Sequence, residues 1–196
     1  MRPSKRTHIL DAALRVFERD GVTAVTYDTV AEEAGITKAG LVYHFPTREV
    51  LLHAVQAHLA AQWETAMTSV AGGPAETITP AERLAAYATV TAQAATRADL
   101  ELILHISAEP ATGAPFIDVM NRWTPPPPPP TPPLTTDQLR ALIARLAADG
   151  LWLHETLTGT PMPDQMRRYI AQHIADLVSS PTTGPERAGD RPSPAI

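Results

Sequence analysis

The stretch from Thr26 to Phe45 constrains the chain most tightly, because it dictates two short helices set across one glycine turn. Thr26 suits the N-cap of the first helix. Val30, Ala31 and Ala34 form its apolar stripe, and Glu32 and Glu33 fall on a solvated side. Ala34-Gly35-Ile36 is the turn. Gly35 can adopt the left-handed conformation that ends a helix, and Ile36 can plug back into the core. Thr37 then caps a second helix from which Leu41 and Phe45 point inward, leaving Lys38, Ala39, Gly40, Tyr43 and His44 outside. A helix, a glycine turn and a second helix with a basic and aromatic outer face fit a DNA major groove. Such pairs also occur in helical proteins that never meet DNA, so spacing alone leaves both readings open.

The flanking segments support the pair. Ile9, Leu10, Ala13, Leu14 and Phe17 recur at helical spacing over residues 4–20, and Gly21 ends that helix. Arg2 to Arg6 is a basic arm suited to lie along phosphates. Pro46 precedes a long helix that Thr47 caps, with Glu49 at the positive end of its dipole. Leu51, Leu52, Val55, Leu59, Trp63, Met67 and Val70 carry it to a stop at Gly72-Gly73-Pro74. At about 1.5 Å per residue it exceeds roughly 30 Å, long enough to link two domains.

The pattern from Arg6 to Leu59 resembles the DNA-binding domain of the TetR/AcrR family of bacterial transcription regulators. The resemblance rests on Ile9-Leu10-Asp11-Ala12-Ala13, Phe17 and Gly21. It continues through Thr26, Val30-Ala31, Ala34-Gly35-Ile36-Thr37, Leu41, Tyr43-His44-Phe45 and Pro46 to Leu51. It implies an all-α protein, with an N-terminal three-helix helix-turn-helix domain and a C-terminal helical domain for ligand binding and dimerisation. The expected boundaries are 1–46 and 47–180, with helix 47–71 as the link and 181–196 a disordered tail. By the same resemblance Thr37 should meet a phosphate, Lys38 and Ala39 should reach base edges, and Gly40 should allow close backbone approach. Tyr43 and His44 should touch phosphate or a thymine methyl, while Thr26 and Arg48 clamp flanking phosphates. Family members often carry an aromatic residue where this chain has Val42. Phosphates are then expected to dominate affinity, with a steep salt dependence.

Composition narrows the alternatives. No cysteine is present, which excludes disulfides, thiolate metal sites and cysteine nucleophiles. Aromatics are only 5% of residues, so the core must come from Ala, Leu, Val and Ile, which favours helices. No apolar run reaches the roughly 18 residues of a membrane span, and the N-terminus is too polar for a secretory signal; a cytoplasmic protein is expected. The net charge of −5 argues against non-specific coating of nucleic acid. Residues 1–60 nevertheless balance seven Lys/Arg against seven Asp/Glu, and the acidic excess lies beyond them.

The second half reads as a helical bundle. Thr79-Pro80 starts a helix to about residue 96, and an apolar helix spans about 98–107. A short helix follows over about 114–123. Pro125 to Pro133 cannot be helix or sheet and should be extended polyproline II or a mobile loop, reaching about 28 Å at about 3.1 Å per residue, as a stiff connector rather than a recognition tract. Helices over about 136–157 and 164–180 close the bundle. Trp63, Met67, Tyr87, His105, Ile106, Phe116, Met120, Trp123 and Trp152 are candidate walls of an effector cavity, which would take a largely apolar ligand with a polar handle. Each is also an ordinary core residue type. Leu139, Leu142, Ile143, Leu146, Gly150 and Leu153, with Ile170, Ile174 and Leu177, form stripes wide enough for a dimer interface. The resemblance implies that these two helices pair with their symmetry mates as a four-helix bundle.

No enzyme constellation, phosphate loop or cofactor motif is visible. His105 and Glu109 have i,i+4 spacing, but such a pair is more often hydrogen-bonded or solvated than metal-bound. The expected function is a homodimeric repressor that leaves its operator DNA when a small effector binds, without cofactor, metal or membrane. The rival is a helical ligand-binding or scaffold protein whose helix-turn-helix no longer docks DNA.

Overall fold

Capping decides where the helices begin. Ser4, Thr26, Thr37 and Thr47 each accept a hydrogen bond from the backbone N–H three residues on. They open α1 (Lys5–Asp20), α2 (Tyr27–Ala34), α3 (Lys38–His44) and α4 (Arg48–Ala71). These side chains satisfy N–H groups that have no partner inside the helix. The structure, a computed structural model, describes residues 4–94, 99–101, 110–124, 133–160 and 162–179. The described residues also hold α5 (Pro80–Ala94), α6 (Pro110–Trp123), α7 (Thr136–Thr158) and α8 (Asp164–Ser179), and no strand. At α5, Glu82 accepts from both the N–H and the hydroxyl of Thr79, which holds its carboxyl below the usual range.

The turn between α2 and α3 has the expected geometry. Gly35 sits at φ 65°, and the Ile36 N–H reaches back to Ala31 O at 3.0 Å. A side chain at Gly35 would meet no neighbour within 4 Å, so its cost comes from backbone conformation alone. Gly35→Ala is therefore expected to destabilise by about 1–2 kcal/mol, lowering the melting temperature by roughly 2–8 °C. An unchanged melting curve would contradict this account of the turn.

α1 packs against α2 and α4, and α2 against α3. Ile9, Ala13, Val16 and Phe17 of α1 join Val30, Ala31, Leu41, Phe45, Leu51 and Val55 in one buried cluster. That cluster runs on without a break along α4, through Leu59, Trp63 and Met67, to Leu84, Tyr87, Phe116 and Trp123. At about 1.5 Å per residue α4 is about 36 Å long and is the shared wall of both halves. α4 packs against α5 and α6, and α5 against α7 and α8.

One boundary differs from the sequence reading. α6 begins at Pro110, not near residue 114, and carries Pro115 inside it. Proline is well suited to a first helical position, and Pro110 starts this helix. Of the apolar helix expected over 98–107, only residues 99–101 are described. His105, Ile106 and Glu109, the prolines from Pro125 to Pro130 with Pro132, and the tail 181–196 lie outside the described residues.

Candidate nucleic-acid interface

The second helix of the pair is held by its inner face and its C-terminal end. Leu41 and Phe45 are fully buried. The Tyr27 phenol donates to the Phe45 carbonyl at 2.7 Å. Arg6 lies 4.5 Å over the Phe45 ring and points Nη1 at the His44 carbonyl, 3.5 Å away. A cation at a helix C-terminus is favourable, and cation–π contact with Phe45 fixes its direction. His8 Nε2 bonds the Ala34 carbonyl at 2.9 Å, tying α1 to the end of α2.

The opposite face is bare. Thr37, Lys38, Ala39 and Val42 are exposed, and Tyr43 keeps 83% of its surface. His44 is half-buried and meets Tyr43 edge-on, with ring centroids 5.2 Å apart. Thr37, Lys38, Ala39, Tyr43 and His44 therefore sit on one short helix or at its cap. Gly40 has a reason to be glycine besides close approach. A Cβ there would stand 3.2 Å from Thr37 Oγ1, the atom that caps the helix.

Two expected phosphate clamps are turned inward. Arg48 donates from Nε to Val25 O at 3.2 Å and from Nη2 to Val22 O at 3.3 Å, bracing the turn before α2. The half-buried Thr26 hydroxyl pairs with Thr29 at 3.0 Å within its cap. Among the described residues, the other arginines of this half are also engaged. Arg15 and Arg19 both grip Glu33, at 2.8 and 3.0 Å, and hold its carboxyl below the usual range. Arg19 also meets Asp20 at 2.9 Å. Lys38, the basic residue of the exposed face, is paired with Asp28 at 2.9 Å. The sequence reading took no account of Asp28, although Asp28 and Lys38 are only ten positions apart across the turn.

In the second half Trp63 gathers the aromatic candidates. Its ring lies 5.9 Å from Phe116 and 5.7 Å from Trp152. Met67 and Trp123 are buried in the same cluster, and Met120 packs on it. Tyr87 is buried but not purely apolar: its hydroxyl donates to Asp149, and Arg145 bonds Asp149 at 2.8 Å. The Arg145 guanidinium stacks 4.8 Å over the Tyr87 ring. Burial, with Asp149 next to it, pushes the Tyr87 phenol well above its ordinary range. Arg122 grips Glu64 with two nitrogens, at 2.8 to 3.0 Å, and so joins α6 to α4. Single-residue periodicity cannot reveal such cross-helix pairs. Clefts away from the aromatic cluster include one of about 650 Å³ between α1 and α4 and one of about 320 Å³ between the starts of α5 and α7.

Leu139, Ile143, Leu146 and Leu153 are exposed along α7, with Gly150 between them and Leu157 beyond; Leu142 is half-buried. On α8 the burial runs opposite to part of the stripe read from sequence. Ile174 is buried in the chain's own core, and Ile170 and Leu177 pack against it. Met166, Tyr169 and His173 face outward instead. Among the described residues no three potential metal ligands cluster, and no helix is long and apolar enough to cross a membrane.

Two family profiles cover most of the chain. "Bacterial regulatory proteins, tetR family" matches residues 9–55, and "Tetracyclin repressor-like, C-terminal domain" matches residues 81–179. The chain belongs to the TetR family. Its reading half is 42% identical over 52 residues to the HTH-type transcriptional regulator SrpR of Pseudomonas putida. That match covers 26% of this chain and 24% of SrpR. The matched stretch therefore spans about a quarter of this curated relative. A regulator named BetI from Brucella anthropi is 32% identical over 90 residues, which is 46% of this chain and 45% of BetI. The fold of a putative TetR-family regulator from Rhodococcus sp. superposes with a TM-score of 0.64 at 19% identity, covering 90% of this chain and 99% of that one. The all-α, two-part TetR architecture is thus the architecture of this chain.

Proposed function

We propose that this TetR-family chain is a DNA-binding transcriptional regulator, acting as a homodimeric repressor that a small, largely apolar effector releases from its operator. The observation that carries the reading is the exposed surface Thr37, Lys38, Ala39 and Tyr43, braced from behind by Arg6, Tyr27, Leu41 and Phe45. A tyrosine that is 83% exposed on a helix braced from behind contributes little to the core, which supports its reading as a partner contact. Two such helices in a dimer would enter successive major grooves about 34–36 Å apart. The exposed α7 stripe supplies the self-complementary face that a two-fold pairing needs. Trp63, Phe116 and Trp152, brought together beside α4, support an effector wall that touches the helix reaching the reading half.

The test is titration of the purified protein with duplexes selected from a randomised pool. Tyr43→Ala and Lys38→Ala are expected to weaken binding at least 10-fold each, with unchanged melting temperatures. Unchanged affinity in both variants would favour the scaffold reading. The internal engagement of the arginines also revises the expected salt response. Among the described residues Lys5 and Lys38 are the cations left near the interface, and with Lys38 paired to Asp28 a dimer neutralises on the order of two to four phosphates, so log K against log salt should have a slope of about −2 to −4. A slope near −8 would mean that Arg48, Arg15 and Arg19 swing out to the DNA.

A further inference from the structure

We propose that Asp28 is a specificity-determining residue: it holds Lys38 for base edges and makes binding through phosphates alone unfavourable. The inference rests on the DNA-binding reading and goes beyond it. Lys38 Nζ lies 2.9 Å from Asp28 Oδ2, and the side chains are 58% and 74% exposed, so both lie on the open surface of the helix-turn-helix. Asp28 stands in the first turn of α2, and Lys38 is the first residue of α3. The pair thus bridges the two N-terminal ends of the helix-turn-helix.

Charge accounting makes the pair decisive. Arg6 is directed at the His44 carbonyl, Arg48 at two carbonyls, and Arg15 and Arg19 at Glu33. Lys38 is then the cation of the exposed α3 face, and Asp28 cancels it. Binding to a random sequence comes almost entirely from cations neutralising phosphates. A carboxylate at that edge repels phosphate and occupies the ammonium that would meet it. A guanine edge offers two acceptors, O6 and N7, to a lysine that keeps one of its three N–H groups on a carboxylate. Asp28 therefore disfavours the random complex more than the selected one. Its favourable position at the positive end of the α2 dipole contributes only weakly at so exposed a site, and Thr26 and Thr29 already cap that helix.

The test compares wild-type protein, Asp28→Asn and Asp28→Glu on two probes: a mixed-sequence duplex and a duplex selected by the wild-type protein from a randomised pool. Asp28→Asn is expected to tighten mixed-sequence binding about 5- to 30-fold. It should steepen the salt slope on that probe by about two per dimer as each freed Lys38 takes a phosphate. The selected duplex should gain less, so the affinity ratio falls several-fold, and Asp28→Glu should restore it. In a Lys38→Ala background, Asp28→Asn should change the ratio little. Equal tightening of both duplexes would overturn the proposal in favour of a bulk charge effect, as would no change on either. A wild-type protein that enriches no duplex would instead remove the DNA-binding reading, and this inference with it. Melting temperatures within about 2 °C of wild type will show that the variants stay folded.

Discussion

Leu146→Glu should leave a folded subunit that no longer dimerises and no longer holds its operator. Leu146 is 60% exposed in the isolated chain, on one stripe with Leu139, Ile143, Gly150, Leu153 and Leu157. Four of the five flanking residues are large, apolar and more than two-fifths exposed, a contiguous surface that monomers rarely leave wet. In the free subunit a glutamate there is largely solvated, so the fold loses little. In a two-fold interface each substitution occurs twice, and both carboxylates are desolvated without a counter-charge. At several kcal/mol per buried unpaired charge, the dissociation constant of the dimer should rise at least 100-fold. DNA affinity should fall with it, since two reading heads on one rigid body bind far better than either alone. Sedimentation velocity beside a duplex titration checks both. A Leu146→Glu protein that sediments as a dimer would show that α7 is not the interface.

The sequence and structure agree most closely where local chemistry decides the outcome. The caps at Thr26, Thr37 and Thr47, the Gly35 turn and the inward Leu41 and Phe45 follow from residue type and from a period of about 3.6. The exposed face of α3 follows as the complement of its buried face. Which charges remain available to a partner is not legible, because it depends on contacts between distant residues. Arg48 has the composition of a phosphate clamp, but it reaches Val22 and Val25, more than twenty positions away. On α8 Ile170, Ile174 and Leu177 form the expected apolar stripe, yet a stripe does not say whether its own chain or a second copy covers it. Packing of α5 across α8 settles that Ile174 is covered from within. The Tyr87–Asp149–Arg145 group was missed for a related reason. Read singly, Tyr87 looks like a core aromatic and Arg145 with Asp149 like a surface i,i+4 pair. Only the crossing of α5 and α7 brings them together.

That group should make stability depend on alkaline pH. Tyr87 is 2% exposed, and its phenol donates to Asp149 while Arg145 holds the other carboxylate oxygen. Burial, then the Asp149 charge, raises the phenol's folded-state pKa above the unfolded value of about 10. The sign follows from proton linkage. Below about pH 10 the phenol is neutral in both states and its hydrogen bond contributes in full. Above it the unfolded chain gives up the proton while the folded chain keeps it, so stability falls by about 1.4 kcal/mol per pH unit from this group. Tyr27 is shifted in the same direction, with burial as the largest cause, but it is present in both proteins to be compared and cancels in the difference. Tyr87→Phe should cost about 1–2 kcal/mol at pH 7–9, and the deficit should shrink, then reverse, between pH 10 and 12. Asp149→Ala should cost more, about 2–3 kcal/mol at pH 7, because it strands a buried phenol O–H and a half-buried guanidinium together. The lower end is the better guide, since Asp149 retains 41% of its side-chain exposure and water screens part of the loss. Urea melts of the three proteins from pH 7 to 11 decide the matter. Parallel stability curves for wild type and Tyr87→Phe across pH 9–11 would mean that the phenol ionises as freely in the folded protein as in the unfolded chain.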